Sequence, residues 1–360
     1  MDTHKTHTAL PKVSVVITSY NYQKYIATSI ESVLTQDYPN IELIVVDDCS
    51  SDDSQTIISR YKNKIVACFQ DVNQGHGAAF NRGFAQASGD LVMFLDADDF
   101  LLPGGLSAAI KAFPADSSVC QFRMALVDAD GKAYDIYPKP ELEFDTAQRA
   151  ENKLLHCGYY QTTVTSGLVF SRTYLEQVLP MPSEDFRQGG DGYLVSLAPL
   201  YGMVSSSALQ LSGYRQHGDN HSSFTNQLLK RARWRIEHNR KRHKAILSSA
   251  QIQNRIIEDD FYLNDTGLLS EYMCLRLFDD NSRTKDIHSA LQHRLGISKL
   301  AVKNLDRENV SLSNKCILAL WWLSLALLPK NAAKPIYSWK VLASSRPSYI
   351  TKASKILRKL

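Results

Sequence analysis

The 360-residue sequence lacks any run of about 20 apolar residues, the length a helix needs to cross a bilayer. Its most apolar stretch, Ile317–Leu328, has twelve residues, which excludes a multi-spanning membrane protein. It lacks a CxxC pair. The six cysteines (Cys49, Cys68, Cys120, Cys157, Cys274 and Cys316) are scattered, arguing for reduced thiols in a cytosolic chain rather than a zinc site or a disulfide framework. The opening residues, MDTHKTHTALPK, hold no apolar core, so no secretory leader is expected. There is no repeat of fixed period and no low-complexity tract. With 44% apolar and 22% charged residues, a mainly disordered or collagen-like chain is excluded. At about 150 residues per domain, the length suggests two or three domains.

A strong net charge is also missing, at only +4, but the charge is unevenly spread. Residues 1–224 hold 16 basic and 26 acidic side chains, a balance of −10, whereas residues 225–360 hold 25 and 11, a balance of +14. An acidic front and a basic tail point to two parts with different partners.

What is present in the first hundred residues is an alternation of two periods. Residues 13–18, 41–46, 64–69 and 91–95 are apolar at nearly every position, the pattern of strands buried on both faces. Between them, Ile26, Ile30, Val33 and Leu34 repeat at helical spacing. Ser51-Asp-Asp-Ser54 reads as the start of a helix over 53–62, and 78–87 as a third helix closed by Ser88-Gly89. This order predicts an α/β fold, a mostly parallel sheet flanked by helices. Farther on, strands are predicted over 119–127 and 133–137, joined by the turn Asp128-Ala-Asp-Gly131, then over 164–171, 203–210 and 212–216. Helices are predicted over 146–157, 172–179 and 191–201. A first domain at 1–222 is followed by a basic, mainly helical region at 223–360 that contains the apolar segment 317–328.

Two acidic turns follow predicted strands, Asp47-Asp48 and the group Asp96, Asp98 and Asp99. In open α/β sheets, ligands bind outside the carboxyl ends of the strands. Five carboxylates on one rim repel each other unless a cation or hydrogen-bond donors compensate. An oxygen-rich set of this kind suits a hard ion, Mg2+ or Mn2+, bridging to phosphate oxygens. One such turn alone would read as solvated helix caps; two favour a ligand site. Gly75-His-Gly77-Ala-Ala-Phe80 nearly matches G-x-G-x-x-G, but a dinucleotide fingerprint needs its glycines in the first strand–helix turn, here Ser19-Tyr-Asn-Tyr22. Close approach of another backbone explains these glycines better.

The segments Pro11-Lys-Val-Ser-Val-Val-Ile-Thr-Ser-Tyr-Asn21, Ile30-Glu-Ser-Val-Leu-Thr-Gln36, Glu42-Leu-Ile-Val-Val-Asp-Asp-Cys-Ser-Ser-Asp52, Asn73-Gln-Gly and Ser88-Gly-Asp-Leu-Val-Met-Phe-Leu-Asp-Ala-Asp-Asp99 occur in that order. In this ordered set the sequence resembles the family-2 inverting glycosyltransferases, closely over 11–113 and more loosely over 160–222. The resemblance implies the type-A glycosyltransferase fold, a nucleotide-sugar-binding α/β domain. It also implies metal-dependent transfer of a sugar from a nucleoside-diphosphate donor, UDP-linked, to a hydroxyl of a glycan or lipid-linked acceptor, as in cell-surface polysaccharide synthesis.

Residue roles follow from the same resemblance. Thr18, with Tyr20 and Asn21, would line the nucleoside pocket. Asp48 would accept a hydrogen bond from the nucleobase, and Asp47 would pack or orient the loop. Asp96 would lie near the ribose and the metal, with Asp98 the direct ligand of Mn2+ or Mg2+. Asp99 is expected to cap a helix beginning at Leu101-Leu-Pro103 or to support the site from behind. Many members carry Ala-Arg-Asn after Asn-x-Gly, with the arginine facing the nucleotide. Here Ala79-Phe80-Asn81 puts a phenylalanine there, so a cation for the diphosphate must come from the metal or from elsewhere.

Inverting transfer needs a carboxylate base for the acceptor hydroxyl. Two registers offer one: Asp191, which opens an apolar helix, and Glu184/Asp185 after Met181-Pro182, with Asp191 favoured. His217, in Tyr214-Arg-Gln-His217-Gly-Asp-Asn220, matches segments that close the donor site and reach the metal or diphosphate. Thr165-Ser-Gly167 would supply backbone on the acceptor side. A nucleotidyltransferase would instead show a Gly-rich phosphate loop with a basic residue, which Thr18-Ser-Tyr-Asn21 is not. Intact Asp48, Asp96, Asp98 and Asp191 argue against a non-catalytic binding protein on a decayed scaffold.

Residues 230–244 hold eight Lys/Arg and one Glu, either a solvated helix face or a surface for anionic lipid headgroups, with nucleic acid a poor third. Segment 317–328 is a buried helix or an in-plane anchor. Trp321-Trp322 favour interfaces, Lys315, Lys330 and Lys334 flank the segment, and the terminus from Lys352 to Lys359 is basic again. The expected location is the cytoplasm, at the inner face of the membrane through 225–360, with no nucleic-acid partner.

Overall fold

The computed structural model describes residues 10–217, 227–258, 260–279, 289–305 and 311–341. These fall into two compact units. One comprises the described residues within 1–155, 159–220 and 244–256, the other those within 156–158, 221–243 and 257–360. Gly218 to Asn220, the boundary at 222 and the basic terminus Lys352–Lys359 lie outside the described residues.

The first unit begins β1 (Val13–Ser19), α1 (Ile26–Leu34), β2 (Ile41–Asp47), α2 (Ser54–Ser59), β3 (Val66–Phe69), α3 (His76–Gln86) and β4 (Leu91–Asp96). It continues β5 (Phe100–Leu101), α4 (Gly105–Ala112), β6 (Ser117–Val127), β7 (Ala133–Tyr137), α5 (Ala147–Cys157), β8 (Leu168–Ser171), α6 (Arg172–Val178), α7 (Gly190–Tyr201) and β9 (Met203–Arg215). Among the described residues these nine strands form one sheet in the order β3-β2-β1-β4-β8-β6-β9-β5, with β7 on β6. The first four strands are parallel. β8 is antiparallel to β4 and β6, and β9 runs parallel to β6.

The alternation of side chains along a strand divides β1 between two layers. Val13, Val15 and Ile17 join Ile26, Ile30 and Val33 of α1 in one fully buried cluster, with Leu43, Val45, Met93 and Leu95 from the neighbouring strands. Val16 faces the other way, toward α3. Each such side chain contributes roughly 1.5–3 kcal/mol on burial. The register is level: Ser19 pairs with Asp47, and Thr18 with both Val46 and Asp96. Three parallel strands therefore end together, which puts both acidic turns on one rim.

Several elements differ from the sequence expectation. The apolar pattern predicts β3 buried on both faces; it is the sheet edge, with Val66 and Phe69 exposed. The helix predicted to run to 62 stops at Ser59, followed by turns. Residues 165–167 form a 3-10 turn before β8 rather than strand. The two strands predicted over 203–216 are one, β9, held to β6 through register shifts, and it is not an edge because β5 pairs Phe100 and Leu101 with Gly213 and Ser212. No helix starts at Leu101: α4 begins at Gly105 behind left-handed Gly104 (φ +67°). Asp99 therefore caps nothing.

The second unit's core is built by α8 (Leu228–Ile252), whose residues 228–243 belong to it, α9 (Thr266–Phe278), α10 (Arg294–Asn304), α11 (Leu312–Leu327) and α12 (Lys330–Val341). Leu269, Met273 and Leu277 repeat every fourth residue on α9 and pack with Ile297, Ala301, Trp322, Leu325, Ala333 and Tyr337. The apolar segment on α11 is thus divided. Trp322 and Leu325 are buried, while Leu320, Leu323 and Leu327 are exposed. No helix among the described residues is long and apolar enough to cross a membrane. Part of the basic run on α8 is neutralised within this unit, Arg233 by Asp279 and Arg235 by Glu271.

α3 lies on the sheet only because residue 83 has no side chain. A Cβ there would sit 2.2 Å from Val16 Cγ1. Overpacking of a filled core costs about 1–3 kcal/mol. Gly83→Ala should lower stability in urea by at least that range; an unchanged midpoint would contradict the packing.

Candidate active site

The rim holds two kinds of carboxylate. Asp47 is fully buried; its oxygens accept from Ser50 N–H and Gln55 Nε2 at 2.9 Å and from Ser50 Oγ at 2.5 Å. Asp48 accepts from Gln70 Nε2 at 2.6 Å, Gln74 N–H at 2.8 Å and Gly75 N–H at 2.7 Å. Asp48 thus fastens the 70–75 segment to the end of β2. The loop after β1 is tied to the same place. Asn21, at φ +61°, donates its N–H to Ser50 Oγ and accepts from Ser51 N–H. Gln23 N–H donates to Asp52. Tyr20 stays exposed beside this interlock and Thr18 is almost covered.

The second acidic turn has few compensating groups. Asp98 Oδ2 lies 3.0 Å from His217 Nε2. Asp96 Oδ1 lies 3.3 Å from His76 Nε2, and its N–H donates to Ser166 Oγ at 3.2 Å. Asp99 Oδ1 accepts from Arg215 N–H at 2.8 Å. Burial, then the charges of Asp98 and Asp191, hold the Asp96 carboxyl above the usual carboxylate range, against the pull of His76. Burial and the charges of Asp98 and Asp96 do the same to Asp99, more strongly. The Tyr22 phenol is pushed up by burial and by Asp98, Asp96 and Asp99. Burial alone would favour neutral His76; its hydrogen bond with Asp96 and the charges of Asp96, Asp191 and Asp98 outweigh that and raise its pKa. All four shifts report a pocket with too much negative charge and low solvent screening.

Asp191 stands in the first turn of α7. Its placement depends on a backbone clamp: His76 N–H and Gly77 N–H, at the start of α3, donate to the carbonyls of Arg187 and Phe186 at 2.8 and 3.0 Å. The clamp needs glycine at both ends. A Cβ on Gly75, at φ +89°, would meet Arg187 O at 2.6 Å, and one on Gly77 would meet Phe186 O at 2.8 Å. The close backbone approach expected of these glycines is thus made by the segment that leads into Asp191. Of the two base candidates, Asp191 acts electrostatically on His76 and Asp96; Glu184 is exposed in the loop before the clamp. Thr165–Gly167, expected on the acceptor side, reaches Asp96 through Ser166.

Three further residues shape the site without a sequence signal of that role: His76 lies between two glycines, and Tyr22 in the turn after β1. Arg215 donates its Nε–H to Asp98 O and one Nη1–H to Ala129 O while its guanidinium lies over the Tyr25 ring, 4.7 Å away. The only signal for Arg215 was its place two residues before His217.

The sequence profile of Glycosyl transferase family 2 matches residues 14–169. An uncharacterized glycosyltransferase of Nostoc sp. is 36% identical over 221 residues, 59% of this chain and 67% of its own length. The chain belongs to glycosyl transferase family 2. The GalNAc(5)-diNAcBac-PP-undecaprenol beta-1,3-glucosyltransferase of Campylobacter jejuni is 34% identical over 142 residues, 38% of this chain and 45% of that relative. The chain therefore spans about two thirds of one relative and less than half of the other. Among solved structures, S. aureus TarS 1-349 in complex with UDP-GlcNAc superposes with a TM-score of 0.54 at 18% identity over 91% of each chain. The fold is the type-A glycosyltransferase fold.

Within that family, Phe80 stands where many members carry arginine. Here the ring is fully buried and stacks on Phe94, centroids 4.0 Å apart, with His76 edge-on at 4.2 Å. The phenylalanine has joined the core, and the imidazole one helical turn earlier faces the acids. No group of three or more metal-binding side chains is assembled among the described residues. Asp98 and His217 supply two adjacent donors. That fits a hard ion that keeps waters and takes its remaining ligands from substrate phosphates.

Proposed function

We propose that this chain is an inverting glycosyltransferase that moves a sugar from a nucleoside-diphosphate donor, UDP-linked, to a hydroxyl of a glycan or lipid-linked acceptor in cell-surface polysaccharide synthesis. The observation that carries the reading is the level ending of β1, β2 and β4. It brings Asp48, Asp96 and Asp98 to one rim, where the charge of Asp191 on α7 acts on Asp96 and His76. Residues 1–222 would be the catalytic domain. Thr18, Tyr20, Asn21 and Asp48 are assigned to the nucleoside, with Asp47 holding their loop, and Asp96 to the ribose.

Asp98 and His217 are assigned to Mn2+ or Mg2+. When bound, the ion supplies charge neutralisation at the departing diphosphate. Asp191 accepts the acceptor hydroxyl proton as that oxygen bonds to the anomeric carbon. The bond from this carbon to the diphosphate oxygen breaks on the opposite face, so the configuration inverts in one displacement. His76 offers positive charge beside Asp96, and the buried, hydrogen-bonded Asp47 and Asp48 keep the nucleoside loops from rearranging.

The exposed stripe Leu320, Leu323 and Leu327 on α11, flanked by Lys315 and Lys330, supports a second role for 225–360: docking on an anionic bilayer by shallow insertion of that face. Co-sedimentation should need acidic lipid and weaken in salt, since exposed charges are screened over about 8–10 Å. Equal binding to neutral vesicles, or none, would contradict it.

The catalytic assignment is tested on UDP release from a panel of UDP-sugars with Mn2+. Asp191→Asn keeps the shape but cannot take a proton. Turnover should fall by roughly 10²–10⁴, the usual worth of a positioned base, with nucleotide affinity within a few-fold of wild type. Normal turnover in Asp191→Asn together with loss in Glu184→Gln or Asp185→Asn would move the base to the other loop.

A further inference from the structure

Arg215 ends β9 two residues before His217 and is 4% exposed. A guanidinium that deep in a fold needs its donors met. Its backbone N–H donates to Asp99 Oδ1 at 2.8 Å. Its Nε–H goes to Asp98 O at 2.8 Å, and one Nη1–H goes to Ala129 O, in the turn between β6 and β7, at 2.7 Å. The guanidinium lies over two rings, Tyr25 at 4.7 Å and Phe100 at 5.2 Å. The Tyr25 ring rests in turn against the His217 imidazole, centroids 5.0 Å apart. One side chain thus reaches Asp98 through its main chain and His217 through an aromatic ring.

The partners chosen by these hydrogen bonds decide what the arginine does. A fork closed on the Asp98 carboxylate would neutralise it and occupy its oxygens. The Nε–H bond holds the Asp98 carbonyl instead, which fixes the point where the carboxylate leaves the chain. The outcome is a defined spacing: Asp98 Oδ2 and His217 Nε2 stand 3.0 Å apart. Adjacent corners of an octahedron with the bond lengths of Mg2+ are about 2.8–3.0 Å apart, so the two atoms stand as neighbouring ligands of one ion would. Groups behind a metal's ligands orient them and tune affinity. Lysine could not replace this arginine, because it offers a point charge without a planar fork or a stacking face.

We propose that Arg215 is the positioning residue of the Asp98–His217 pair, holding the first through its main-chain carbonyl and the second through Tyr25. The inference rests on the assignment of Asp98 and His217 to the divalent ion.

The test reads Mn2+ binding to the full chain at saturating UDP, from loss of the free-ion electron paramagnetic resonance signal. Arg215→Lys and Arg215→Gln should each weaken Mn2+ binding about 10–100-fold, the usual effect of removing a group that orients a ligand. UDP affinity without metal should stay within a few-fold of wild type. An electrostatic role predicts another pattern: loss of a cation beside Asp98 and Asp99 would tighten Mn2+ binding in Arg215→Gln and leave Arg215→Lys unchanged. Because Arg215 is buried, a second pair of variants guards against misfolding. Tyr25 is half-buried. Tyr25→Leu removes the ring between guanidinium and imidazole and should weaken Mn2+ binding, whereas Tyr25→Phe keeps the ring and should bind as wild type. Wild-type or tighter Mn2+ binding in cooperatively melting Arg215→Gln, or in Tyr25→Leu, while Asp98→Ala loses it, would overturn this inference and leave the metal assignment standing. Wild-type Mn2+ binding in Asp98→Ala would overturn both.

Discussion

The site is governed by a shortage of positive charge. Asp96 ends β4, the buried Asp98 and Asp99 follow in the next turn, and the charge of Asp191 acts on Asp96 and on His76. Among the described residues, two imidazoles, the hydroxyls of Tyr22 and Ser166 and the backbone N–H and guanidinium of Arg215 face them. Carboxylates crowded in low dielectric raise one another's pKa and that of any neighbouring acid, and Tyr22, Asp96 and Asp99 all move in that direction. The acids are held from two sides: Asp96 by α3 and the 3-10 turn before β8, and Asp98 and Asp99 by the end of β9 and the residues just after it. Protonation of Asp96 or Asp99 relieves part of this repulsion, and the cation assigned to Asp98 and His217 would relieve it with the carboxylates ionised.

The other two aspartates show why position on the rim is not enough. Asp47 and Asp48 end a neighbouring strand in the same register, yet their oxygens are met by donors from Ser50, Gln55, Gln70, Gln74 and Gly75. Those hydrogen bonds hold the loops together, while Asp48 Oδ2, met by Gly75 N–H, keeps acceptor capacity for a further donor. The rim is thereby divided into a rigid, satisfied side next to the exposed Tyr20 and Asn21, and a cation-seeking side next to Asp98 and His217. A nucleoside diphosphate has the matching division, a flat uncharged base at one end and two phosphates at the other.

Much of this was legible in the sequence because it depends on short-range patterning. Strands buried on both faces announce themselves by unbroken apolar runs, and acidic turns after them mark the ligand-binding end of a parallel sheet. What was not legible depends on pairing between distant segments. The edge position of β3 could not be read from a run as apolar as that of β1, because exposure is decided by which strand is absent beside it. Asp99 looked like a helix cap because Leu101-Leu-Pro103 resembles a helix start. Pairing of Phe100 and Leu101 with β9 overrode that local signal. His76 was hidden by its glycine neighbours, and Phe80 could be seen to replace an arginine but not to have stacked on Phe94. The clamp from α3 to residues 186–187, which positions Asp191, joins segments more than a hundred residues apart.

The most direct test of the charge-shortage account is linkage between nucleotide and metal. Calorimetry of the full chain should show UDP binding tightened by Mn2+ and Mn2+ binding tightened by UDP to the same factor, as thermodynamic reciprocity requires. In Asp98→Ala, melting cooperatively, that mutual enhancement should vanish. Retention of the full Mn2+ enhancement in a folded Asp98→Ala protein would show that the metal is held elsewhere and would contradict the account.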